Sequence, residues 1–463
     1  MLLIKNGRVY GAEADSADVL IKDGIVAEIA GSIPETEQMT VIDATGLYVA
    51  PGLFDMHVHF RDPGFEYKED ILTGAAAAAA GGVTTCCCMP NTMPVADNPD
   101  VIKYIIDKAK DAPIRVLPYG AVTLGQKGLE LTDFAALKKA GAIALSDDGN
   151  PVQNARLMRR AMQQAREVDM LIISHCEDAD LVQNHALNEG KASWELMLPG
   201  RPAIAEEIMV ARDVMLAAET GARLHIAHVS TAKSVEIIRK AKEAGAKITA
   251  ETCPQYFSLT EDEVLKQEAL ARVNPPLRRK EDVEAIICGL ADGTLDVIAT
   301  DHAPHSAEEK SLPLEEAPSG MVGLETSLAL ALTNLYHTGK MSIDEIIGLM
   351  STNPARILGQ SVECGVLSVK LGDAKQAKHG SKQGDGSPAC CQAGEPSPCL
   401  EPPCLAPSPC LPDIVVFDPD LEWTVKPDKF KSKARNTPFA GMKLKGKVVY
   451  TMCRGKIVYS GRE

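Results

Sequence analysis

Between residues 47 and 305 short apolar runs alternate with amphipathic stretches, and this alternation restricts the chain to α/β architectures with parallel strands. The runs are LYVAPGLFDMHVHF, VTTCCCMP, IRVLPYGAV, AIALSDDG, MLIISHCED, RLHIAHVS, KITAETCP and DVIATDHAPH. Between them lie stretches such as YKEDILTGAAAAAAGG, NARLMRRAMQQAREVD and TAKSVEIIRKAKEAG, with apolar residues at helical spacing. Gly81 and Gly245 stand where helix C-caps are expected. Eight strands interleaved with helices predict a closed (β/α)8 TIM barrel over residues 47–358. An open doubly wound sheet is the alternative, but it would not bring every polar strand end to one rim.

The two chain ends read differently. LLIKNGRVY and DVLIKDGIVAEIA each hold an Asn-Gly or Asp-Gly pair between alternating apolar positions, which predicts hairpins in a small antiparallel sheet over residues 1–46. Past residue 360 the strand-like runs DIVVFDP, EWTV and GKVVYTMCRGKIVYSG predict that residues 359–463 join the first 46 in one small β-sandwich domain. Residues 375–412 interrupt that pattern with eight Pro, five Cys and only three bulky apolar residues, Leu400, Leu405 and Leu411. Such a composition buries too little surface to offset its ordering entropy, so a disordered insertion is expected there.

Composition narrows the function. A formal net charge of −15 argues against nucleic acid or an anionic membrane as partner, although one Arg in a site is enough to receive an acidic substrate. The opening MLLIKNGRVYGAEADS lacks the apolar core of a signal peptide, and no run of about 18 apolar residues offers a membrane span. A cytoplasmic enzyme is expected. The 13 cysteines contain no C-x-x-C pair, so a zinc finger is not indicated, and Cys86–Cys88 read as reduced core thiols.

The chemistry gathers at the C-terminal ends of the apolar runs, where barrel active sites form. The first ends in His57-Val58-His59-Phe60-Arg61, and period-2 geometry places His57, His59 and Arg61 on one face. The fourth ends in Ser146-Asp147-Asp148-Gly149, the fifth in His175-Cys176-Glu177, the sixth in His228, and the eighth in Asp301-His302-Ala303-Pro304-His305. One such histidine is unremarkable, but four with two carboxylates on the same rim are too costly to bury for packing alone. Imidazoles with carboxylates suit Zn²⁺ or a similar first-row ion. The expected division is His57, His59 and Asp301 on one ion, His175 and His228 on a second, and Asp148 between them. Asp147 is the alternative there, because a strand end can present either neighbour. Ions so held lower the pKa of a bound water to about 7 and create a nucleophile, with Asp301 beside it to shuttle the proton. His185, His225, His337 and His379 lack this placement, His302 is expected to point away from Asp301, and His305 opens a loop from which it can reach substrate.

The segments H-V-H-F-R-D-P-G (57–64), M-P-N-T (89–92), S-D-D-G (146–149), H-C-E (175–177), H-V-S-T (228–231), E-T-C-P-Q-Y (251–256), N-P-P-L-R (274–278) and D-H-A-P-H (301–305) together resemble the bacterial long-form (type I) dihydroorotases of the amidohydrolase superfamily. The resemblance spans about residues 1–373 and 413–463. It implies reversible hydrolysis of dihydroorotate to N-carbamoyl-L-aspartate in pyrimidine synthesis. It implies one or two Zn²⁺, with two expected, on His57, His59, Asp148, His175, His228 and Asp301, and it favours Asp148 over Asp147. It further implies Asp301 as acid/base and His59, Arg61, Asn91, Asn274, His305, Ser319 and Gly320 as substrate contacts. Dihydroorotate carries a carboxylate, for which Arg61 offers a planar two-pronged donor; a rim salt bridge is the plainer reading of that Arg. A homodimer, and a complex with aspartate carbamoyltransferase, are the partners implied.

Two other readings compete. Hydantoinases, dihydropyrimidinases and allantoinases usually carry a carboxylated Lys at the end of the fourth strand, whereas residues 140–155 here hold no Lys. A non-catalytic subunit supporting a carbamoyltransferase would be expected to have lost ligands, and all six are present.

Overall fold

The structure is a computed structural model and describes residues 1–12, 14–183, 185–360 and 413–462. The Pro- and Cys-rich stretch 375–412, together with His379, lies outside the described residues.

All eight apolar runs form parallel barrel strands: Leu53–Val58, Val83–Cys88, Arg115–Pro118, Ala144–Ser146, Leu171–Ser174, Leu224–Ile226, Ile248–Thr252 and Val297–Ile298, called strands 1 to 8 below. Strands 1–3 pair in order, as do strands 4–8. Two bridges complete the ring. Gly120 pairs with Leu145 between strands 3 and 4, and Val58 pairs with His302 between strands 1 and 8. The His59 N–H donates to the His302 carbonyl across the second seam at 2.8 Å. The open sheet is thereby ruled out.

Local chemistry sets the helices around this ring. Asp70 caps Ile71–Ala80 by accepting from the Leu72 and Thr73 N–H groups, and Asn154 caps Ala155–Glu167 through the Leu157 N–H. Gly245 takes the expected left-handed φ of 83°. Gly81 is the C-cap of Ile71–Ala80 as expected, though with a φ of −86°, and the left-handed residue is Gly82, at 85°. Gly81 is needed for a different reason, because a Cβ there would collide with the Leu324 carbonyl. Inside the ring, Phe54, Met56, Cys87, Leu171, Ile173 and Val297 belong to one buried cluster. A larger cluster, with Ile102, Leu157, Met162, Val210 and Ile238, lies between strands and helices.

Both chain ends build the second sheet. Ala17–Lys22 and Ile25–Ala30 form the hairpin predicted at Asp23-Gly24, with φ of 52° and 76° as a type I′ turn requires. Asn6-Gly7, however, makes no turn. Leu2–Val9 is one continuous strand with a register shift between Ile4 and Gly7 and a left-handed Asn6 (φ 61°), which is a β-bulge. The sheet is also mixed, not purely antiparallel, since Thr40–Asp43 pairs parallel with Leu2–Val9. The bulge lets one strand serve two halves. Leu2–Lys5 pairs with Thr40–Asp43, and Arg8–Val9 pairs with Tyr48–Val49. Ile414–Thr424, Lys443–Cys453 and Lys456–Ser460 extend the second half from Tyr48–Pro51. DIVVFDP and EWTV thus form one strand, with register shifts between Val416 and Phe417 and between Asp418 and Glu422. Ile4, Val19 and Ile42 from one half meet Val49, Ile414 and Val416 from the other in a single core, so the sheet closes over itself as a sandwich. It takes in Tyr48–Pro51, past the break read at residue 46, and a Cβ at Gly52 would collide with Thr84 where the chain turns into strand 1.

Candidate metal centre and active site

Each strand end delivers its polar group to the same rim. His57 sits inside strand 1 and His59 just after it, Asp148 follows strand 4, His175 follows strand 5, His228 follows strand 6 and Asp301 follows strand 8. All six are buried. The Asp148 carboxylate lies at the centre. Its Oδ1 is 3.5 Å from His57 Nε2 and 3.4 Å from both His175 Nδ1 and His228 Nε2, while its Oδ2 is 3.4 Å from His59 Nε2. Asp301 Oδ1 is 3.1 Å from His59 Nε2 and 3.5 Å from His57 Nε2. The donor atoms of His57, His59 and Asp301 fall within 4.8 Å of one another, and so do those of His57, Asp148 and His228. His175 joins the second group through a 2.8 Å approach of its Nδ1 to His228 Nε2. His57 is therefore common to both clusters, a sharing that the strand pattern did not suggest.

Asp147 faces elsewhere. Its carboxylate accepts from the Val122 N–H at 2.8 Å, the Thr123 N–H at 3.1 Å and the Thr123 hydroxyl, which ties the strand 4 end to the loop after strand 3.

This donor set fits a divalent cation on three observations. His57 Nε2 and Asp148 Oδ1 are buried and make no hydrogen bond among the described residues. The far ring nitrogens are anchored by acceptors, with His57 Nδ1 2.6 Å from Glu251 Oε1 and His59 Nδ1 2.9 Å from Asn91 Oδ1, which turns both Nε2 atoms to the centre. The centre also carries excess negative potential. Burial works against the His57 cation, yet Asp148, Glu251 and Asp301 outweigh it and hold its pKa well above the usual histidine value. Burial likewise opposes the His175 cation, but Asp148 and Glu177 raise it to about 10. Asp148, despite burial, is held well below the carboxylate range by His57, His175 and His228. A bound cation satisfies the same demand for positive charge.

The residues expected to meet substrate fall into two groups, one around Arg61 and His305 and one beside His175. Arg61 lies beyond strand 1 with a left-handed φ of 62°, so strict alternation does not carry to it. Its Nε donates to the Pro304 carbonyl at 3.3 Å, and no carboxylate comes within 4 Å of its guanidinium among the described residues. His305 Nε2 is 2.9 Å from the Ser319 carbonyl and its Nδ1 3.3 Å from Lys68 Nζ. Burial and the Arg61, Lys68 and Lys310 cations hold His305 well below the usual histidine pKa, so the ring is neutral. Gly320 (φ 134°) follows Ser319, and its N–H donates to the Arg272 carbonyl. Asn274, beside His175, accepts from Arg201 at 2.5 Å and lies 3.4 Å from the His175 ring. Asn91 differs from the rest, because its oxygen orients His59.

Three further carboxylates that contact the strands of this centre were not assigned from the strand pattern. Glu251 contacts His57, His225 Nε2 at 3.2 Å and the His228 N–H at 3.4 Å. Burial is opposed there by His57 and His225, which keep the Glu251 carboxyl far below its usual range. Asp55 accepts from the His57 and Thr300 N–H groups, tying strand 1 to strand 8. Glu177 pairs with Arg201 at 2.8 Å. Lone carboxylates inside the apolar runs GLFDMHVHF and KITAETCP were the available signal. His225, which lacks the strand-end placement, is buried against Glu251, and His302 turns away to Glu69 Oε2 at 3.6 Å.

A profile of the dihydro-orotase-like family matches residues 46–234. Dihydroorotases from Citrifermentans bemidjiense and Acetivibrio thermocellus are each 46% identical to the chain; 99% of the chain is covered in both, with 99% and 98% of the relatives. That of Pelotomaculum thermopropionicum is 47% identical over 100% of the chain and 99% of its own length. Among solved structures, an L-hydantoinase (dihydropyrimidinase) from Arthrobacter aurescens superposes with a TM-score of 0.80 at 25% identity, covering 100% of this chain and 96% of its own. A dihydropyrimidinase from Brevibacillus agri shares the fold at a TM-score of 0.78 and 24% identity, over 100% of this chain and 95% of its own. The hydantoinase-like fold is thus common to cyclic amidohydrolases, and full-length identity of this order places the chain within one branch of them: it belongs to the dihydroorotase family.

Proposed function

We propose that this enzyme hydrolyses dihydroorotate reversibly to N-carbamoyl-L-aspartate, with His57, His59, Asp148, His175, His228 and Asp301 holding two divalent ions, Zn²⁺ the best match to the donors. The observation that carries the substrate is Arg61. A partly buried guanidinium without a carboxylate partner, beside the Asp148–Asp301 centre, suits a substrate that brings its own carboxylate. A hydantoin or dihydropyrimidine brings none. The absence of Lys from residues 140–155 further disfavours the hydantoinase reading.

When bound, the ions supply a water that ionises near neutral pH and a positive charge for the amide oxygen. The remaining work falls to the chain. Arg61, with Asn274, His305 and the Ser319–Gly320 backbone, orients the ring so that its amide carbon faces the centre. Asp301 takes the proton of the attacking water and passes it to the ring nitrogen as the C–N bond breaks, leaving a carboxylate and a carbamoyl group. Its left-handed φ of 50° supports a constrained, functional conformation.

No helix among the described residues is long and apolar enough to cross a membrane. A homodimer is the assembly proposed, supported by Trp194 and Ile204, which line one surface depression at 88% and 47% exposure, and a cytoplasmic location is proposed from the sequence alone. Association with aspartate carbamoyltransferase is a further proposal, from the family resemblance alone.

Asp148→Ala is expected to lower bound metal at least about tenfold by elemental analysis, whereas Asp147→Asn keeps it near wild type; the reverse pattern would exchange the two roles. Asp301→Asn should lower kcat by about 10²-fold or more at unchanged fold, and near-normal turnover with full metal would assign the proton to another group. Arg61→Met should cost about 10²–10⁴ in kcat/KM on dihydroorotate and far less on a carboxylate-free cyclic amide. Equal losses on both would return Arg61 to a structural role.

A further inference from the structure

We infer that Asn436 and Lys310 are positioning residues that set the substrate-facing wall in register with Arg61, so that the C-terminal part of the chain completes the active site; the inference rests on the dihydroorotase reading above. Asn436 comes from the segment between Ile414–Thr424 and Lys443–Cys453, yet it is buried against the barrel. Its side chain reaches both loops of the wall. Oδ1 accepts the His305 N–H at 3.1 Å, and Nδ2 donates to the Ala303 carbonyl at 3.2 Å and the Gly320 carbonyl at 3.1 Å. The Asn436 carbonyl accepts the Val322 N–H at 2.9 Å, which fixes the far side of the same loop.

Lys310 closes the wall from behind. It ends the short helix Ala307–Lys310, is buried, and has no carboxylate within 4 Å among the described residues. Its ammonium is surrounded by carbonyls instead: Pro318 and Gly320 at 3.0 Å and Arg272 at 3.3 Å. The Gly320 carbonyl therefore takes two donors, one from each positioning residue. A buried ammonium is costly, and here it ties the Pro318–Gly320 loop to the Arg272 carbonyl. The loop is tight, since a Cβ at Gly320 would stand 2.9 Å from the Ala303 oxygen and 3.1 Å from His305 Nε2.

The register passes on to Arg61 through one residue. Asn436 holds Ala303 and His305, the two neighbours of Pro304, and the Pro304 carbonyl accepts from Arg61 Nε. None of the hydrogen bonds of the Asn436 or Lys310 side chain involves His57, His59, Asp148, His175, His228 or Asp301. Their loss should therefore weaken substrate binding without emptying the centre.

The test compares wild type with Asn436→Asp, which keeps the shape and the His305 acceptor but loses both donors, and with Lys310→Met. For each protein KM and kcat on dihydroorotate, the Kd of N-carbamoyl-L-aspartate by calorimetry, metal content and thermal midpoint are measured. KM and Kd should rise about tenfold, the scale of one buried carbonyl left unpaired, with kcat and metal content within about twofold. Unchanged KM and Kd in a folded variant would overturn the inference, as would a loss shared equally by KM, kcat and metal content. The two variants carry the test independently, so one that fails to fold leaves the other to decide, and failure of both to fold would overturn it in favour of a purely structural role. A wild-type protein that does not open dihydroorotate would instead refute the activity itself.

Discussion

Everything in this molecule depends on the convergence of four imidazoles on the single carboxylate of Asp148. No local sequence can make that contact, because His57, Asp148, His175 and His228 come from strands 1, 4, 5 and 6. It requires the ring to close, which it does through the Gly120–Leu145 and Val58–His302 bridges. Closure brings the strand ends to one level, and the polar groups that no apolar core would tolerate then become one another's environment. The second seam matters most for chemistry. The His59 N–H bonded to the His302 carbonyl fixes the distance between strand 1, with two histidines, and strand 8, with Asp301.

A layer of buried anions behind the histidines turns convergence into defined orientation. Glu251 contacts His57, His225 and the backbone of His228, so one carboxylate orients the His57 ring and ties strand 1 to the end of strand 6. Asp55 does the same for the backbone of strands 1 and 8, and burial raises its pKa to about 6. On the other side Arg201 holds Glu177 and Asn274 against His175. The His57, His59 and His175 rings, held by their far nitrogens, cannot rotate to satisfy themselves elsewhere, which keeps their near nitrogens available to a cation.

How much of this was legible follows from the range of each interaction. The barrel was readable because strand and helix periodicities are local, and so was the Asp23-Gly24 hairpin, whose turn needs only two residues. Asn6-Gly7 carries the same local signal but becomes a bulge, because the strand must pair with Thr40–Asp43 before it and Tyr48–Val49 after it. The choice between Asp147 and Asp148 was likewise undecidable from alternation. It is made by the Val122 and Thr123 N–H groups, which claim Asp147 and leave Asp148 to the histidines. Glu251 was visible as a carboxylate in an apolar run, yet its partners lie on two other strands. Asn436 offered no signal, since its contacts with Ala303, His305 and Gly320 span more than a hundred residues.

The central claim is that the Asp148 centre is assembled to hold divalent metal for ring hydrolysis, and the most direct measurement is dihydroorotate opening by protein stripped with a chelator and then titrated with Zn²⁺. The stripped protein should show no turnover, and activity should rise with bound metal and saturate at one to two ions per chain. Full turnover by demonstrably metal-free protein would contradict it.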